Sequence, residues 1–357
     1  MKRMNPAEDP EMEQTRTMEN KLLWSAGARY SHHRIPGIVV TERGTVIVYC
    51  EARTACDDWA WMDILMQRST DGGKTFQEPI LLCEGSSRHP TVNNPVMIVG
   101  KGGVLHFLYC VDYTVNGGGI FYRRSTDDGS TWSLPKEISD VCMPEFHQAL
   151  AVGPGHGLCL RNGTLIAPVW MVPVSAGVPL NAHVPSVLCC VYSTDGGDHW
   201  QMGEILPDAE NVPSPNETSL AELADGRVLF NIRNAPGKRA VSYSDTGYSG
   251  WSVPTLHPAL TDPACYGGMA EIFGDEGTTI YFANCNHPQK RRNVTLWKSV
   301  NGGTDWIPMC IDPSGGGYVD VAVDSKRGLI DIVYELNGGQ EARLVRLPEE
   351  NFLPDEK

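Results

Sequence analysis

Short apolar and β-branched runs recur along the whole chain, each cut off by Gly, Pro, Asp or Asn. Examples are Leu22-Leu23-Trp24, Ile38-Val39-Val40, Val46 to Cys50, Ile64-Leu65-Met66, Leu188 to Tyr192, Val228-Leu229-Phe230, Val294 to Trp297 and Ile332-Val333-Tyr334. Runs of this kind, bounded by turn residues, read as β-strands. No apolar run has the length of a membrane span.

A polar pattern repeats in phase with these strands. Ser69 to Phe76 reads Ser-Thr-Asp-Gly-Gly-Lys-Thr-Phe, and Ser125 to Trp132, Ser193 to Trp200 and Ser299 to Trp306 repeat the order Ser, acid or amide, Gly, aromatic; Ser244-Asp245-Thr246-Gly247 with Trp251 is a weaker copy. The short acid can hydrogen-bond the backbone a few residues on, and the glycine lets the chain reverse, so each box predicts a hairpin turn stapled by its own side chains. The box serines are 56, 68, 51 and 55 residues apart. A period of roughly 50 residues is what four short strands and their turns occupy in a propeller blade. The expected fold is therefore all-β, a six-bladed β-propeller over residues 21–357 behind a polar tail, residues 1–20. The N-terminal strand should complete the last blade and remove two free edges. The longest interval, between the second and third boxes, predicts an insertion, with Pro173 to Pro185 as a loop that could overhang a site.

Composition narrows the function. Glycine (37) and proline (25) suit many turns, and a net charge of −14 argues against a nucleic-acid partner or an anionic membrane surface. An anionic ligand would have to meet a local arginine cluster. Eleven cysteines, without paired metal spacing and mostly in strand contexts such as Cys50, Cys110, Cys159 and Cys190, read as buried reduced thiols. With no apolar leader among the first twenty residues, a cytoplasmic location is expected. His32, His33, His147 and His156 have no metal-ligand spacing, and neither metal nor other cofactor is expected.

Four arginines, Arg34 and Arg53 in the first predicted blade and Arg233 and Arg291 in two others, stand at strand ends. In a propeller such positions converge on one face of the axis, and several guanidinium groups aimed at one point form a carboxylate or phosphate clamp. The boxes together with Arg34-Ile35-Pro36 resemble the Asp-boxes and Arg-Ile-Pro motif of the sialidase family, and the resemblance runs over about residues 21 to 340. It implies a glycosidase acting on terminal sialic acid. The family's carboxylate-binding arginines would be Arg34, Arg233 and Arg291, with Arg292 competing for the third place. Its Glu-Ala-Arg arginine falls on Arg53, its base on Glu217, its nucleophile on Tyr318, and the acid that orients the first arginine on Glu335. The general acid falls on Asp57 or Asp58, with Asp58 favoured.

The residue types make chemical sense. Sialic acid carries a carboxylate on its anomeric carbon, so an anionic nucleophile would be repelled and a phenol would not; sialidases are the known tyrosine exception among retaining glycosidases. A tyrosine needs a base, here Glu217. Asp58 would protonate the leaving oxygen, and the neighbouring Trp59 and Trp61 suggest an apolar loop that raises its pKa. The partner is then a sialylated glycan. A related 2-keto-3-deoxy sugar acid would suit the same clamp, and a non-catalytic carbohydrate-binding propeller is the alternative class.

Overall fold

The computed structural model describes residues 18–112, 119–142, 149–179, 182–235, 237–275 and 277–352. Six sheets follow one another along the chain, and no α-helix occurs among the described residues. The first sheet runs His32–Val40, Val46–Arg53, Met62–Ser69, Ile80–Cys83. The second holds Val92–Val99, Leu105–Val111, Gly119–Ser125 and Lys136–Glu137, and Gly155–His156 adds to its inner edge by a short parallel pairing. Ala149–Val152, Leu165–Val172, Val187–Ser193 and Gln201–Met202 form the third, Thr218–Glu222, Val228–Ile232, Gly237–Ser244 and Thr255–Asp262 the fourth. Gly268–Gly274, Gly277–Cys285, Val294–Ser299 and Ile307–Asp312 make the fifth.

The sixth sheet takes Val319–Asp324, Leu329–Leu336 and Glu341–Pro348 from the end of the chain and its outer strand, Glu19–Ser25, from the beginning. The expected closure of the ring by the N-terminal strand is therefore present. That strand starts at Glu19, so Glu19 and Asn20 belong to the last blade rather than to a tail, because both pair with the neighbouring strand, at Arg346 and Val345. Residues 1–17 lie outside the described residues. First strands of successive sheets pack beside one another around the axis. Between sheets lie apolar layers, such as Val96, Leu108, Trp170 and Phe230 in one cluster and Val46, Val48, Val333 and Leu344 in another.

Each box sits after the third strand of its sheet; four have the predicted staple, and in the weaker copy at Ser244 the Thr246 hydroxyl takes the place of the acid. In the first, Ser69 Oγ accepts the Gly73 N–H at 2.7 Å and Asp71 accepts the Thr75 N–H at 3.0 Å; Ser125 with Gly129 (2.9 Å) and Asp127 with Thr131 (2.8 Å) repeat it. The boxes also join blades. Gly129, at φ 79°, has Ile47 of the preceding sheet 3.1 Å from where a Cβ would stand, and Thr45 of that sheet donates to Asp128 at 2.5 Å. Of the cysteines, Cys50, Cys110 and Cys190 are buried as expected, whereas Cys159 is only half-buried and Cys56 and Cys310 are exposed.

Strand direction decides where chemistry can collect. In the first sheet Val46 faces Ser69 at one end and Arg53 faces Met62 at the other. Seven residues at about 3.4 Å each put the box some ~24 Å from the Arg53 end. The starts of first strands and the ends of second strands share the face away from the boxes, and Arg34, Arg53, Glu217, Arg233, Tyr318 and Glu335 all sit there. Gly37 shows how tightly the axis is filled: a Cβ would lie 2.2 Å from the Tyr49 ring, whose hydroxyl is held by Gly155 O at 2.7 Å. Gly37→Ala should destabilise the protein by about 1–3 kcal/mol, the cost of overpacking, read as a lower midpoint in thermal or urea unfolding.

Candidate active site

Tyr318 is the centre of this face. It stands where Gly317 leads into the first strand of the sixth sheet, and its cross-strand neighbour Glu335 accepts its N–H at 3.1 Å. Its hydroxyl donates to Glu217 Oε1 at 2.5 Å and accepts from Arg233 at 2.7 Å; Arg233 also bonds the other oxygen of Glu217. The guanidinium groups of Arg34, Arg233 and Arg291 lie 5.4, 5.8 and 5.2 Å from the centre of the phenol ring. Burial pushes the Tyr318 pKa well up and Glu217 adds to this, against the lowering by the three arginines. The resting group is a neutral phenol with an acceptor on its proton and a cation on its oxygen.

Arg34 reaches the axis through a break in pairing. The register slips between Arg34 and Gly37, and Ile35 takes φ 56°, a left-handed conformation that costs an L-residue about 1–3 kcal/mol. Glu335 holds this kink: it accepts the Ile35 N–H at 2.8 Å and pairs with Arg34 Nε at 3.3 Å. Glu335 thus works behind the clamp, buried, and is the main reason the Arg34 pKa is raised. Arg53 is likewise engaged within the protein, bonding Glu51 through Nε (2.8 Å) and Asp58 through an η nitrogen (2.7 Å).

The loop between Arg53 and Met62 separates the two aspartates. Asp58 lines the pocket with Arg34, 3.6 Å away, whereas Asp57 is exposed and caps the Trp59 N–H at 2.9 Å. Trp59 and Trp61 are both exposed, so the loop is not the apolar shell expected for Asp58. Burial does push its carboxyl up, but Arg53 and then Arg34 outweigh it and hold Asp58 below the usual carboxylate range. This reverses the expectation of a raised pKa for Asp58. Arg291 lines the pocket; Arg292, in the same turn, does not.

Several wall residues carry no local sequence pattern: Asn94, Trp170, His183, Val184 and Asn216. His183 and Val184 come from the expected overhanging insertion, of which residues 180 and 181 lie outside the described set. Behind the wall, Glu51 is legible from the sequence. It stands two positions before Arg53 on one strand, hence on the same side, and its other oxygen accepts the Asn94 N–H at 2.6 Å. Among the described residues no group of three or more His, Cys, Asp or Glu is placed to hold a metal ion. His33 stacks on Trp24 and His156 bonds Asp320 at 3.0 Å; His147 lies outside the described residues.

A six-bladed ring with boxed turns on one face and an arginine-ringed phenol on the other defines a class, and comparison with known proteins agrees. Residues 84–318 match the BNR repeat-like domain, and the chain belongs to the BNR-repeat sialidase family. It is 28% identical over 341 residues to a sialidase of Bacteroides fragilis, covering 85% of this chain and 59% of that protein. A sialidase of Clostridium perfringens is 26% identical over 359 residues, with 89% of each chain covered. The chain thus spans about three-fifths of the Bacteroides relative but most of the clostridial one. In fold it is similar to a Hadza microbial sialidase, Hz136 (TM-score 0.80, 22% identity, 91% of this chain and 67% of that one), and to an intramolecular trans-sialidase from Ruminococcus gnavus (TM-score 0.76, 16% identity, 93% and 98%).

Proposed function

We propose that the protein is a retaining exo-α-sialidase that removes terminal sialic acid through a Tyr318 nucleophile. The observation that carries this reading is the Tyr318 hydroxyl held between Glu217 and Arg233 beneath three guanidinium groups. Arg34, Arg233 and Arg291 bind the substrate carboxylate. Because they do so in ground and transition states alike, they supply affinity and orientation. Glu217 takes the phenol proton as oxygen attacks the anomeric carbon, and Arg233 stabilises the charge developing on that oxygen. Asp58 protonates the leaving oxygen and later deprotonates the water that frees the sugar. Arg53, fixed by Glu51, holds Asp58, and Glu335 holds Arg34.

Sialidase relatives support the substrate class, as do structures of a fold neighbour, Trypanosoma rangeli sialidase, in complex with 2,3-difluorosialic acid and with 2,3-difluoro-KDN. Intramolecular trans-sialidases among the neighbours make the product worth identifying. The test is hydrolysis of 4-methylumbelliferyl α-sialoside with NMR of the first-formed sugar: release of the α-anomer supports retention, the β-anomer contradicts it, and binding without turnover favours a lectin. Arg291→Ala should raise KM about 10- to 100-fold, the worth of one charge-assisted contact, while Arg292→Ala changes it less than about 3-fold.

A further inference from the structure

We propose that Trp59 and His183 form a platform for the sugar on the leaving-group side of the scissile bond; the proposal rests on the sialidase reading above. An acid and a nucleophile flank the bond they break, so a leaving group protonated by Asp58 lies on the side of Asp58 away from Tyr318. Trp59 is the next residue. Its N–H is fixed by the Asp57 carboxylate, and its indole stands outside the pocket wall, 40% exposed.

The indole is nonetheless backed. Its ring lies 5.9 Å from that of His183 at an interplanar angle of 29°, and His183 in turn meets Trp170 edge-on at 5.4 Å. Trp59 comes from the first sheet's loop and His183 from the loop of the third, so two loops meet at the rim directly beside the acid. Trp61, the other exposed indole, is tied down by a bond from Nε1 to Asp63 at 3.3 Å and is not stacked in this way. Burial, with Arg233 nearby, keeps the His183 pKa below its usual value, so the imidazole is neutral at neutral pH. An uncharged, partly exposed aromatic surface fits the C–H face of a pyranose rather than a charged group. Contact there would be made by a part of the substrate that does not react and would be used to lower the barrier for substrates that carry a sugar leaving group.

The experiment compares 3′-sialyllactose with α-sialyl fluoride, whose leaving group cannot reach the platform. Trp59→Ala should shift the ratio of the two kcat/KM values by about 10- to 100-fold against sialyllactose, the scale of losing one ring face. Trp59→Phe should restore most of it, and inhibition by the glycal inhibitor DANA, which lacks a leaving group, should move less than about 3-fold. An unchanged ratio, or an equal loss on both substrates, overturns the platform while the sialidase reading stands. Wild type that turns over neither substrate overturns both.

Discussion

Tyr318→Phe is expected to bind a sialoside but to turn it over at least about 10³-fold more slowly, the scale seen when a covalent nucleophile is removed. The substitution deletes one oxygen and leaves the ring on which Arg34, Arg233 and Arg291 converge. The clamp should therefore survive, and the loss should fall on kcat with KM little changed or lowered. Glu217→Gln should fall in the same direction but less far. The amide can still accept the phenol's hydrogen bond, but it cannot take the proton, and it removes the carboxylate now paired with Arg233. Single-turnover rates with binding measured separately decide this. Full activity in Tyr318→Phe would mean that water attacks directly.

Asp58→Ala should reduce kcat/KM for a lactose leaving group by about 10²- to 10⁴-fold, the usual worth of a general acid. Aryl leaving groups, which depart without a proton, should lose much less, and Asp57→Ala should leave both near wild type. The pH dependence follows from geometry. Acid catalysis needs protonated Asp58, yet Arg53 and Arg34 hold it low in the free site. A substrate carboxylate among the clamp arginines would offset the Arg34 charge and cover Asp58, and both effects raise its pKa. So kcat/KM for sialyllactose should fall as pH rises through the low free-enzyme value, and kcat should fall only at higher pH. Coincident profiles would contradict this coupling.

The boxes were legible in the sequence because their chemistry is local: Ser69, Asp71 and Gly73 close a turn with bonds spanning four residues or fewer. Their spacing then fixed the blade count, and motif order over the chain carried Arg34, Arg233 and Tyr318 to one face. What local pattern could not give was side-chain direction. Asp57 and Asp58 are neighbours, and only the loop's path turns one to Trp59 N–H and the other to Arg53. The same ambiguity covered Arg291 and Arg292. The Asp58 pKa falls rather than rises because Trp59 and Trp61, close in sequence, face outward, while the arginines that control it arrive from strands. Asn94 at φ 51° and His183 reach the pocket through backbone and loop geometry that no periodicity announces.

The most direct test of the central claim is to trap the intermediate. Incubation with 2,3-difluorosialic acid, followed by proteolysis and mass spectrometry, should place one fluorosialyl group on the peptide containing Tyr318, at the phenol oxygen. Label on the carboxylate of Glu217 or Asp58, or an enzyme that turns over sialosides yet is never labelled, would contradict it.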